Sequence, residues 1–214
     1  MASSVTHSSP LMIASMDRSL TKAKMRDVTP PVNARICLSD RTCRLDFFSS
    51  GMAAITTRDD PRFAAFAAAL KQVCLDLSHL IVKDGEGASK FVTVTVEGAV
   101  SENSAKTVAC SIANSPLIKT AMAAGDANWG RIVMAVGKAL EPIDMDRLAI
   151  WFDDVQVARE GGRMPDYSEA AASGVFAQPE FTIRVHLGVG DASATVWTCD
   201  LTHGYVDING AYRT

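Results

Sequence analysis

The sequence predicts a mixed chain of the α/β or α+β class. A long segment from Phe63 to Ile81 repeats apolar residues every three or four positions, later segments such as Phe91 to Glu97 alternate valine with threonine, and no internal repeat links them. Asp60-Pro61 offers an N-cap followed by proline at the first helical position, where its missing N–H costs nothing, so a helix is expected to begin there. Phe63, Phe66, Leu70, Val73, Cys74, Leu77, Leu80 and Ile81 give that helix one apolar face over about five turns. Lys83-Asp84-Gly85-Glu86-Gly87 stops it, and the alternation of Phe91 to Glu97 has the period of two of a half-buried strand.

Ser101 can cap a second helix to about Asn114, with Ala105, Val108, Ala109 and Ile112 inward, and Pro116 opens a short third one. After the loop Gly125 to Gly130, the segment Arg131 to Leu140 fits a strand or a buried helix; helix is the reading taken. Leu148 to Phe152 and Val155 to Ala158 read as strands with a turn at Gly161-Gly162, Asp166 to Ala177 as a helix, and Phe181 to Leu187 and Ala194 to Cys199 as strands.

Composition narrows the function. At 214 residues and 48% hydrophobic content the chain can bury a sizeable core, which excludes collagen-like, mucin-like and wholly disordered classes. Lys+Arg 21 against Asp+Glu 24 leaves −3, with no global attraction to nucleic acid or anionic lipid. No apolar run approaches the roughly 18 residues of a membrane span, and the N-terminus lacks the basic and apolar regions of a secretory signal, so a cytosol-like compartment and no membrane partner are expected. Five scattered cysteines read as reduced thiols. Residues 1–50 hold seven Lys/Arg and four Asp/Glu, a balance of +3, against −6 for the remainder, and Met25 to Ser50 has no sustained apolar stripe.

Among candidate groups, Asp84 and Glu86 flank Gly85 where a carboxylate can meet a ligand's ammonium group, although a solvated helix stop is the plainer interpretation. Gly85-Glu86-Gly87 and Gly188-Val189-Gly190 are too short for a dinucleotide fingerprint, and there is no phosphate-binding GxxxxGK[ST] or nucleophile-elbow GxSxG. Cys199 and His203 could pair as thiol and base or as metal ligands, but lack further ligands, and Cys37 with Cys43 has no second pair. His7, His79 and His186 are dispersed and read as structural. Asn128-Trp129-Gly130-Arg131 suits a carboxylate or a partner surface as well as a core edge. Tyr205 to Thr214 keeps polar and aromatic residues to the last position, which suggests an end that is tied down.

Five segments in order carry a resemblance: Ile81 to Val92 (IVKDGEGASKFV), Ala113 to Thr120 (ANSPLIKT), Asp126 to Ile132 (DANWGRI), Trp197 to Thr202 (WTCDLT) and Tyr205 to Thr214 (YVDINGAYRT). Together they resemble the C-terminal half of the ornithine acetyltransferase (glutamate N-acetyltransferase) family over residues 55–214, with Asp17-Arg18-Ser19 a weaker extension. The resemblance implies acetyl transfer from N2-acetyl-L-ornithine to L-glutamate by a precursor that cleaves itself before a threonine, whose free amine then serves as base for its own hydroxyl. It implies that Glu86, Asn209 and Thr214 hold substrate.

Counting back from the Glu86 loop puts that threonine at or just before Met1. The resemblance therefore implies no catalytic nucleophile in this chain and no turnover by it alone. The alternatives are a catalytically dead fragment that binds acetylated amino acids or a partner, and a hydrolase built on Cys199 and His203. The family's Asp-Gly-Asp-Thr-Ser-Thr-Asn-Asp segment is replaced here by Met25 to Ser50, as a shifted frame or decayed gene would produce. Further implications are an α chain of the same precursor, an α2β2-like heterotetramer, a chain prone to aggregate when unpaired, no metal, no cofactor with acetyl-CoA only as a candidate further donor, and a bacterial cytoplasm or mitochondrial matrix. The implied architecture is a layered α/β sandwich half (1–90, with 20–50 atypical), a smaller α+β domain (91–195) and a C-terminal segment (196–214) returning to the active site.

Overall fold

The computed structural model describes residue 55 and residues 57–211, so expectations that fall on the first fifty residues or on Thr214 lie outside the described residues. Among the described residues the chain divides into two compact units, one ending at Asp76 and the other beginning at Leu77. In the first, the Asp60 carboxylate accepts the Arg62 backbone N–H at 2.9 Å and its guanidinium at 2.7 Å. These bonds hold the Asp60 carboxyl at about 2, below its ordinary value. Regular helix α1 starts two residues after Pro61 and spans Phe63–Lys83.

Two expectations about α1 need correction. Phe66, Val73, Leu80 and Ile81 on its apolar face are exposed, because a stripe of that length needs a partner element along all of it. The helix is also long and apolar enough, by length and composition, to cross a membrane, with a mean hydropathy of 1.4 over its best window. Alanines clustered at 64, 65 and 67–69 raise that average, but the unbroken apolar run covers only residues 63–70, and Lys71 and Asp76 interrupt the segment.

The second unit is built on a six-stranded mixed sheet in the order β4-β3-β2-β5-β1-β6. Strand β1 (Phe91–Ala99) pairs parallel with β5 (Glu180–His186) and antiparallel with β6 (Ala192–Cys199). Its Val92, Val94 and Val96 are fully buried on one face, in register with Phe181, Ile183 and Val185 of β5, while Thr95 on the other face meets the Thr195 hydroxyl at 3.2 Å. The alternation read from the sequence is thus the pleat of a sheet covered on one side. The boundary drawn at 195/196 falls inside β6, which continues through it.

Helix α2 (Glu102–Ala113) lies on β1 and β6, capped by Ser101, whose hydroxyl accepts from Ser104 N at 3.1 Å. Helix α3 (Pro116–Ala124) ends on Gly125 in the left-handed region. The ambiguous segment is helix α4 (Trp129–Lys138), started by the Asn128 side chain accepting from Arg131 N. Strands β2 (Ala149–Phe152), β3 (Val155–Arg159) and β4 (Gly162–Arg163) form a meander, so Gly162 belongs to a strand and Glu160-Gly161 make the turn. Helix α5 (Glu169–Phe176) starts three residues later than expected because Ser168 is its cap. Phe176 stacks between Phe152 and Phe181, with ring centroids 4.7 and 4.6 Å away.

Lys90 ties these layers together. Its ammonium donates to the Met122 carbonyl at 2.7 Å and to the Phe176 carbonyl, satisfying the C-terminal turns of α3 and α5, where a cation also meets the negative ends of both helix dipoles. Lys90→Met is expected to lower stability by about 2 kcal/mol, read as a shift in the urea midpoint with an unchanged slope. A midpoint equal to that of the parent would show that the two carbonyls find other partners.

Candidate functional site

The loop after α1 is shaped by its own backbone. Asp84 N donates to Leu80 O at 2.9 Å, closing the helix, and Ala88 N donates to Gly85 O at 2.8 Å, forming a turn that presents Glu86 to solvent. Gly87 has φ of +69°, and a Cβ there would lie 2.6 Å from Tyr205 N and 2.7 Å from the Gly204 carbonyl carbon. Only glycine fits so close to another backbone.

That neighbour is α6 (His203–Gly210), an element the sequence did not announce. Thr202 caps it through a hydroxyl that accepts from Gly204 N at 3.1 Å and donates to Gly87 O at 2.6 Å, so one side chain starts the helix and docks it on the loop. Asn209, on the last turn, donates from Nδ2 to Glu86 Oε2 at 2.6 Å and to Tyr205 O at 2.9 Å. Two of the three residues expected to hold substrate therefore meet, and the third, Thr214, lies outside the described residues. The pair is exposed, and it presents acceptor oxygens of both a carboxylate and an amide, a combination suited to an ammonium group.

Two buried groups that sequence reasoning passed over hold this arrangement. Asp200, 3% exposed, accepts Ser89 N at 2.8 Å and Lys90 N at 3.0 Å on Oδ1, and the Ser89 hydroxyl at 2.5 Å on Oδ2. Lys119, 2% exposed, donates to Thr198 Oγ1 at 2.9 Å, to the Cys199 carbonyl and to Cys199 Sγ at 3.7 Å, while its own carbonyl accepts Leu201 N at 3.1 Å. Burial pushes the Lys119 ammonium below its ordinary range, against the opposing pull of Cys199 and Asp200. The chain is thus fixed on both sides, before α6 and after the Glu86 loop. Asp and Thr just ahead of a C-terminal segment are ordinary capping residues, the one signal that pointed here.

The remaining candidates separate from this pair. Cys199 Sγ accepts from the Lys119 amine, and His203 is exposed on the first turn of α6. His79 packs against the rings of Phe91 and Trp197, with centroids 5.2 and 4.5 Å away, and the His186 ring fills the space beside Gly98. Asn128 is a cap, and Arg131 donates to Leu117 O at 2.5 Å and approaches Asp126 at 3.8 Å. Among the described residues no group of three His, Cys, Asp or Glu side chains is placed to hold a metal.

Comparison with known proteins gives one answer. The sequence pattern of the ArgJ family matches residues 41–214. The arginine biosynthesis bifunctional protein ArgJ of Agrobacterium fabrum is 54% identical over 176 residues, 79% of this chain and 43% of the relative, and that of Rhizobium meliloti is 57% identical over 164 residues, 77% and 40%. The Zymomonas mobilis protein of the same name is 44% identical over 200 residues, 93% of this chain and 49% of the relative, a match that must reach into the first fifty residues set apart by charge. This chain therefore spans about half the length of these curated relatives, or less. The crystal structure of the arginine biosynthesis bifunctional protein ArgJ from Bacillus halodurans superposes with a TM-score of 0.72 at 35% identity, covering 77% of this chain and 78% of that one. With the mixed sheet, the Glu86 loop and the C-terminal helix all inside the matched region, the chain belongs to the ArgJ family.

Proposed function

We propose that this chain is the C-terminal, substrate-holding half of an enzyme that moves an acetyl group from N2-acetyl-L-ornithine to L-glutamate in arginine biosynthesis. The observation that carries this reading is the 2.6 Å contact between Asn209 and Glu86, residues 123 positions apart. In the proposed cycle an N-terminal threonine, cleaved free of an α half, attacks the acetyl carbonyl of N-acetylornithine. Its α-amine, with an ordinary pKa near 8, takes the hydroxyl proton. Ornithine leaves, and the amine of glutamate attacks the resulting acetyl ester, regenerating the hydroxyl.

Glu86 pairs with the substrate's free ammonium group, the Asn209 amide fixes the direction of that carboxylate, and Thr214 adds a hydroxyl. Donors for the oxyanion come from the α half. The exposed apolar residues of α1 support a partner polypeptide of this kind, assembled as an α2β2-like heterotetramer in a cytoplasmic setting.

The test is a chimera in which residues 41–214 replace the matching C-terminal part of the Agrobacterium fabrum relative. Acetyl transfer from N-acetylornithine to glutamate is expected. Glu86→Gln should raise KM for N-acetylornithine about tenfold, the loss of roughly 1.4 kcal/mol of ion pairing. A folded chimera that binds N-acetylornithine but transfers nothing would leave only a binding fragment.

A further inference from the structure

Under the Glu86 loop sits a pair of reactive groups for which the proposed acetyl transfer has no use. Cys199 closes β6 and is partly exposed, while Lys119 reaches it from α3 with Nζ 3.7 Å from Sγ. Gly85 packs against the sulfur, where a Cβ would stand only 3.1 Å from it, so the loop holds Cys199 beside the Lys119 amine. We propose that Cys199 and Lys119 form a peroxide-driven modification site, in which the oxidised sulfur of Cys199 is captured by the Lys119 amine as a covalent sulfenamide.

The chemistry balances with a hydroperoxide as oxidant. With hydrogen peroxide, the Cys199 sulfur attacks one oxygen and the O–O bond breaks; sulfur keeps that OH and is oxidised by two electrons to the sulfenic acid, while the departing hydroxide takes the thiol proton and leaves as water. The lone pair of the neutral Lys119 amine then attacks the same sulfur. The S–N bond forms, the S–O bond breaks, and the departing hydroxide takes a proton from nitrogen to leave as a second water. A dithiol reverses the product by attacking sulfur and expelling the amine.

Three features favour capture. The amine is already in contact with the sulfur, its neighbours Thr198 Oγ1 and the Cys199 carbonyl hold it there, and burial makes its neutral, nucleophilic form easier to reach than that of a surface lysine. Cys74 and Cys110 serve as internal comparisons, since burial pushes both thiols up and keeps them in the slow, protonated form.

The experiment treats the full chain with a modest excess of hydrogen peroxide and maps its peptides by tandem mass spectrometry. A linked pair containing Lys119 and Cys199 is expected, lighter by two hydrogen atoms than the two peptides summed and released by dithiothreitol. In Lys119→Arg, which keeps the positive charge on a non-nucleophilic group, the link should vanish and dimedone should label Cys199 instead. Dimedone labelling or sulfinic acid at Cys199 of the parent chain without the link would overturn the proposal. So would a Cys199 that peroxide leaves untouched, or a link to a different lysine.

Discussion

Replacing Gly87 by alanine is expected to detach α6 from the Glu86 loop and to lower the melting temperature by roughly 10 °C, equivalent to about 3 kcal/mol at this chain length. The backbone at Gly87 is left-handed, φ +69°, which alone costs a side chain about 1 kcal/mol. The new Cβ would also meet Tyr205 N at 2.6 Å and the Gly204 carbonyl carbon at 2.7 Å, both backbone atoms that cannot swing aside. Relief requires α6 to move, and the Thr202 to Gly87 bond and the Asn209 to Glu86 bond go with it. Calorimetry of the variant checks this. An unchanged transition would mean that α6 does not rest against the loop.

Asp200→Ala is the second large effect, expected at about 4 kcal/mol. The buried carboxylate accepts two backbone N–H groups and a hydroxyl from the partly buried Ser89-Lys90 stretch, and its removal leaves all three donors without that acceptor. Asp200→Asn should fall between parent and alanine, because it keeps one acceptor oxygen and turns an NH2 group toward the others. Urea unfolding of both variants provides the ranking. If asparagine were as stable as aspartate, the charge would have no part in holding Ser89 and Lys90.

Local chemistry made most of the second unit legible. The valine-threonine alternation of β1, the serine cap of α2 and the proline of α3 are signals read within a few residues, and the structure follows each. The ambiguous segment after Gly130 resolved as helix because Asn128 caps it, a cue that periodicity alone does not weigh.

Helix α6 was hidden for the opposite reason. It buries no residue, contains Gly204 and ends on Gly210, and is held by bonds from Thr202 and Asn209 to positions 115 and 123 residues away. Such contacts leave no local pattern, and the same holds for Lys119 and Asp200, whose partners come from distant strands and loops. Glu86 stood out only as an acid between glycines until the resemblance singled it out. The open face of α1 shows the limit of periodicity, which identified a stripe without identifying what covers it.

The central claim is that Glu86 and Asn209 act together on one substrate group, and a double-mutant cycle in the chimera tests it most directly. KM for N-acetylornithine is measured for the parent, Glu86→Gln, Asn209→Ala and the double variant. The account predicts strong non-additivity, with the double variant little worse than Glu86→Gln alone, since the amide works through the carboxylate it contacts. Effects that multiply as if independent would contradict it.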